Sequence, residues 1–132
     1  MHELDHIGIA VKNLDESIKK YKADFGFDVE LTETLSEQKI ELAFLRLKNT
    51  SIELLAPLAD NSTISKFLAK NGEGLHHLCY KVDDINKELK SLESKGHILI
   101  DKKPRDGARN TLIAFIHPKS MQGVLTELCQ YK

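Results

Sequence analysis

At the start of the chain, apolar residues alternate with small or polar ones. In LDHIGIAV, Ile7, Ile9 and Val11 interleave with His6, Gly8 and Ala10, the period of two that predicts a strand with two distinct faces. The period then changes. Leu14, Ile18, Tyr21 and Phe25 recur at helical spacing, Asn13 stands as N-cap with Glu16 three residues on, and Gly26 ends the run. FDVELTETL predicts a strand and Ser36 to Lys39 a turn. IELAFLRL and TSIELLAP predict a hairpin through Lys48 and Asn49. This first stretch reads β-α-β-β-β.

A connector follows, in which Asn61 or Ser62 caps a short helix with Ile64, Phe67 and Leu68 inward and Asn71–Gly72 closing it. The pattern then repeats. GLHHLCYKV predicts a strand, and DDINKELKSLESKG a helix with Ile85, Leu89 and Leu92 on one face and Gly96 at its end. HILIDKKP predicts a strand, PRDGARN a loop, and TLIAFIHP and SMQGVLTELCQ two more strands. At an offset of 71 (77 − 6), Ile7 falls on Leu78, Val11 on Val82, Leu14 on Ile85 and Ile18 on Leu89. Duplication decides the architecture. Neither module can bury a sheet face alone. The expected fold is α+β, one domain built of module 1–57, connector 58–73 and module 74–132. Its two βαβββ modules form a curved mixed sheet around a cup, with the helices outside.

Composition narrows the function classes. A chain of 132 residues, 41% hydrophobic and 30% charged, is ordinary for one soluble globular domain. A net charge of −1 argues against nucleic acid as a partner. The N-terminus shows no basic segment followed by an apolar run, and no apolar stretch approaches the roughly 20 residues of a bilayer span. The expectation is no membrane association and a cytoplasmic location. Cys79 and Cys129 lie in apolar, strand-like runs and read as free thiols of a reducing compartment. No P-loop or dinucleotide fingerprint occurs.

The candidate chemistry comes from parity. If Ile7, Ile9 and Val11 face the helix, His6 faces the cup. By the same count Glu53 turns inward opposite Ile52 and Leu54, His77 opposite Leu78 and Tyr80, and Glu127 opposite Thr126 and Leu128. The two carboxylates are offset by 74 (127 − 53), so the second copy carries three extra residues (74 − 71). A lone histidine in an apolar strand is normally a hydrogen-bonded core residue. A buried glutamate is costly unless paired or bound to a cation. Two of each in register read as a metal site of His6, Glu53, His77 and Glu127. The set suits Co, Ni, Mn, Fe or Zn, and can leave open positions for substrate oxygens and Lewis-acid catalysis. His76 points to the other face of its strand, His2 and His97 read as solvated, and His117 as structural. Lys119 and Ser120 precede the strand of Glu127 and are candidates for a substrate phosphate or carboxylate. Glu37, in the SEQK turn, is a base candidate only if that turn folds over the metal.

LDHIGIAVKNLDESIKKY, SIELLAPL, NSTISKFLAKNGEGLHHLCYKVDDI and IAFIHPKSMQGVLTEL together resemble the vicinal oxygen chelate superfamily and, within it, the methylmalonyl-CoA epimerase family. The resemblance implies a divalent metal, cobalt-type with Mn2+, Ni2+, Zn2+ or Fe2+ as alternatives, at His6, Glu53, His77 and Glu127. It implies Glu37 as a base, since that residue matches the family's free glutamate in an EQ phrase, with Glu127 as the second acid/base group. The implied reaction exchanges the (R) and (S) epimers of an acyl-CoA thioester by proton removal and return through a metal-chelated enolate, in a homodimer. Where the family has a glycine-rich stretch after PRxGA, this chain reads RDGARN. Two other readings stand beside it: a glyoxalase I-like lactoylglutathione lyase, and a metal-free drug-binding module of the same fold.

Overall fold

Asn13 caps the first helix as its spacing predicts: its side chain accepts the backbone N–H of Glu16 at 3.0 Å. Asp84, 71 residues on (84 − 13), does the same for Lys87 at 3.1 Å, so the duplication extends to the caps. The computed structural model describes residues 2–132. The chain divides into two compact units, residues 6–76 and residues 2–5 with 77–132.

The first unit takes its elements from β1 (Glu3–Ala10), α1 (Leu14–Phe25), β2 (Val29–Leu35), β3 (Ile40–Arg46), β4 (Ser51–Pro57) and α2 (Thr63–Asn71). Its sheet runs β2-β3-β4-β1. β1 lies parallel to β4, while β3 is antiparallel to both neighbours. Leu14 of α1 packs with Val11, Ala43, Leu45, Leu54 and Ala56 on one face of the sheet, with Ile9, Ile18, Tyr21 and Ile52 around them. Each fully buried leucine there contributes about 1.5–3 kcal/mol. Ser62 caps α2 by accepting the N–H of Ser65 at 3.0 Å, and Ile64 is buried.

The second unit repeats the plan with β5 (Gly74–Lys81), α3 (Ile85–Ser94), β6 (Arg105–Gly107), β7 (Thr111–Ile116) and β8 (Thr126–Tyr131). Its sheet runs β5-β8-β7-β6, with β5 parallel to β8 and β7 antiparallel to both neighbours. Ile85 and Leu89 of α3 pack on Val82, Ala114, Ile116 and Leu128. Both units are α+β. Among the described residues no helix is long and apolar enough to cross a membrane.

Four details differ from the sequence reading. HILIDKKP is not a strand. Residues 97–101 follow the edge of β7 through a single bridge, Leu99 to Ile116, and β6 forms only at Arg105–Gly107, inside the expected loop. The reason lies at Asp101, whose carboxylate takes the N–H of Phe115 at 2.8 Å where a strand would offer a backbone carbonyl. Pro104 has no N–H to give. Second, SMQGVLTELCQ is broken by a 3-10 turn at Pro118–Ser120 and by left-handed Gln122 and Gly123, so β8 starts at Thr126. Third, Phe25 keeps the helical spacing but is 67% exposed; as the last helical residue it stacks on Phe27 at 5.3 Å instead of entering the core. Fourth, His97 is half-buried, not solvated, its Nδ1 3.2 Å from the Leu92 carbonyl.

Candidate active site

Within the first unit, β1 supplies His6 and β4 supplies Glu53. The parallel register sets Gly8 beside Glu53 and His6 beside Ser51, on the face away from α1. His6 Nε2 lies 3.3 Å from Glu53 Oε1. Within the second unit, β5 supplies His77 and β8 supplies Glu127, and His77 Nε2 lies 3.2 Å from Glu127 Oε1. All four residues are 5% exposed. The parity argument thus holds in each unit: the branched residues pack under the helix, and the imidazole and carboxylate share the opposite face.

Each pair is framed by an aromatic ring that the sequence reading passed over. Phe44 on β3 lies opposite Glu53 in the antiparallel register, and Phe115 on β7 lies opposite Glu127. Phe44 meets His6 edge-on at 5.2 Å, and Phe115 meets His77 likewise at 5.5 Å. The signal was available. Phe44 and Phe115 are 71 apart (115 − 44), the offset of the two histidines.

The donor set fits a divalent cation. Two donors in adjacent positions of an octahedron, each about 2.1 Å from the ion, are about 3.0 Å apart. The His–Glu separations of 3.3 and 3.2 Å are close to that edge. Cys79 pairs with Glu127 in register and is a buried free thiol. Burial, then its contact with Cys129 and the charge of Glu127, push its thiol well above the ordinary value.

The other candidates separate from these pairs. Glu37 sits exposed in the turn between β2 and β3. Lys119 is exposed. Ser120 Oγ accepts the N–H of Ile98 at 2.7 Å, so it anchors the segment after α3. His117 caps the 3-10 turn, its Nδ1 accepting the Lys119 N–H at 3.0 Å. His76 packs edge-on against Phe67 at 4.8 Å, and His2 is exposed.

A half-buried ion pair was also missed. Asp5 pairs with Arg109 and accepts the hydroxyl of Tyr131 at 2.6 Å, while the Arg109 guanidinium lies 5.7 Å from the Tyr131 ring centroid. Arg109 has φ 56°, a left-handed conformation unfavourable for a bulky residue, and the pairing with Asp5 offsets that cost. The separation of 104 positions between the partners hid it from local pattern reading.

Comparison with known proteins adds independent evidence. Residues 5–115 match the profile of the Glyoxalase/Bleomycin resistance protein/Dioxygenase superfamily. The chain is 45% identical over 127 residues to the mitochondrial methylmalonyl-CoA epimerase of Dictyostelium discoideum, covering 96% of this chain and 76% of that one. It is 37% identical over 129 residues to the ethylmalonyl-CoA/methylmalonyl-CoA epimerase of Cereibacter sphaeroides, covering 96% of each. A solved variant of Streptomyces coelicolor methylmalonyl-CoA epimerase, in complex with 2-nitronate-propionyl-CoA, superposes with a TM-score of 0.95 at 38% identity. That match covers 98% of this chain and 94% of the other.

Proposed function

The chain belongs to the Glyoxalase/Bleomycin resistance protein/Dioxygenase superfamily, and on that premise we propose that it is an isomerase interconverting the (R) and (S) epimers of methylmalonyl-CoA. The observation that carries this reading is the twinned pair, a buried imidazole touching a buried carboxylate once in each duplicated unit. The names of its relatives supply the substrate class. We take His6, Glu53, His77 and Glu127 as the ligands of one divalent ion per chain, Co2+ first among the candidates. Such an ion would supply Lewis-acid stabilisation of negative charge on the thioester and carboxylate oxygens of the substrate.

The rest of the mechanism falls to side chains of this protein. The α-hydrogen of a methylmalonyl thioester lies between two carbonyl groups, and its loss leaves a planar carbon. Epimerisation then requires one group to take the proton on one face and another to return one on the opposite face. Glu127 and Glu37 are assigned these roles. Glu127 lies 3.2 Å from His77 Nε2, and Phe115, opposite Glu127 in register, meets the His77 ring edge-on. Glu37, on an exposed turn, reaches a bound substrate if the turn closes over it. We read the working form as a homodimer, because β2 and β6 are the edge strands of the strand order and such edges tend to be covered.

The test is solvent exchange. Co2+-loaded protein should move deuterium from D2O into the α-position of methylmalonyl-CoA while the two epimers equilibrate. Folded, metal-loaded protein that exchanges nothing would end this reading.

A further inference from the structure

We propose that the bulge at residues 102–104, with Arg105 beside it, binds the phosphates of the coenzyme A moiety. The proposal rests on the epimerase reading for the identity of the ligand, and on the second unit alone for its geometry.

The bulge is built by the departure from strand geometry already described. Residues 98–101 are tied to the edge of β7: the N–H groups of Ile100 and Asp101 reach the Phe115 carbonyl at 2.9 and 3.2 Å, and the His117 N–H reaches the Ile98 carbonyl at 2.9 Å. The Asp101 carboxylate then takes the Phe115 N–H, and the backbone leaves the sheet until β6 resumes. Lys102 and Lys103 are thereby exposed. Among the described residues no carboxylate pairs with Lys102, Lys103 or Lys119.

Orientation follows from pairing. Arg105 pairs in register with Ile113, which packs with Cys79 and Cys129 on the face carrying His77 and Glu127. Its guanidinium lies 5.7 Å from the Phe115 ring centroid, with Nε 3.3 Å from Asp101. Leu99 enters the cluster beneath α3. Alternation turns Ile98 and Ile100 the other way, and each is 51% exposed.

The second unit carries, beside His77 and Glu127, the Phe115 ring, then exposed Ile98 and Ile100 on the segment along the edge of β7, then the exposed Lys102, Lys103 and Arg105 that follow them in the chain, with Arg105 over the Phe115 ring. An acyl-CoA presents its parts in the same order: the acyl thioester, an uncharged pantetheine arm, and a nucleotide with three phosphates. A protein of net charge −1 has no general attraction for that polyanion. Unpaired lysines in a group are the local means of holding it.

The experiment is calorimetric titration of the full, folded protein with coenzyme A, comparing wild type, K102E/K103E and a control with the same change of charge elsewhere, K66E/K90E. All four lysines are exposed, and circular dichroism checks that each variant folds. K102E/K103E should weaken coenzyme A binding about tenfold or more, and its affinity should lose most of the wild-type dependence on salt. K66E/K90E should bind within about twofold of wild type. Equal weakening in both variants, no weakening in K102E/K103E, or no binding by the wild type would overturn the proposal. Binding needs no turnover. A protein that exchanges no α-proton yet holds coenzyme A through these lysines would sink the epimerase reading alone. An active enzyme whose coenzyme A affinity ignores the double substitution would sink this site alone.

Discussion

Phe115 stands T-shaped against His77, ring centroids 5.5 Å apart and planes at 85°, and Phe44 holds His6 in the same way at 84°. An imidazole so flanked cannot swing freely, so Nε2 stays directed at its carboxylate. Phe115→Ala should cost about 3 kcal/mol of stability, as large-to-small core changes do. If the ring also positions His77, Phe115→Leu should keep most of that stability yet weaken Co2+ binding about tenfold, as loss of a ligand's supporting neighbour does. Denaturant unfolding and metal titration read the two effects separately. Full metal affinity in Phe115→Leu would reduce the ring to core filling.

Metal stoichiometry tests whether the twin pairs act as one set. Reconstituted protein should carry one divalent ion per chain by elemental analysis, and His6→Ala or His77→Ala should each abolish it. Dialysis against a chelator should bring α-proton exchange to background, and Co2+ should restore it. Two ions per chain, with each substitution removing one, would split the set into two independent sites. Protein that never retains metal would favour a binding module of the same fold.

Glu37→Gln should cut α-proton exchange at least a hundredfold, the scale of a missing general base, while metal content stays at the wild-type level. The residue lies in an exposed turn, so melting temperature should hardly move. Unaltered exchange would remove Glu37 from the reaction.

The Tyr131 phenol is pushed above its ordinary value of 10.0, first by burial and then by its hydrogen bond to Asp5. The folded chain therefore holds this proton more tightly than the unfolded one. Its contribution to stability is complete below about pH 10 and is lost as pH rises toward the elevated value. Tyr131→Phe should cost about 1 kcal/mol at neutral pH and flatten the alkaline loss of stability between pH 10 and 11. The protein has three tyrosines. In an absorbance titration of the folded wild type, one should ionise later than the others, and that late phase should vanish in the variant.

Local chemistry made much of this protein legible. Asn13, Ser62 and Asp84 cap helices because a short polar side chain before an apolar 3.6-period run can satisfy a free N–H. His6, Glu53, His77 and Glu127 could be assigned to the face away from the helices because strand parity needs no knowledge of the partner strand. Residues 97–104 were misread because HILI alternates like a strand. Whether its backbone or the Asp101 side chain takes the Phe115 N–H is settled by a group 14 residues away. Phe25 kept helical spacing, but spacing does not say where a helix outruns the sheet beneath it.

By itself the sequence determined the duplication, the order of elements, and which acidic and imidazole side chains share a face, since each depends on neighbours a few positions apart. Tertiary structure alone decided that Phe44 and Phe115 brace the histidines, that Arg109 answers Asp5, and that Lys102 and Lys103 stand out from the sheet. Those relationships join distant positions, and their energies come from packing and pairing that exist only once the chain has closed on itself.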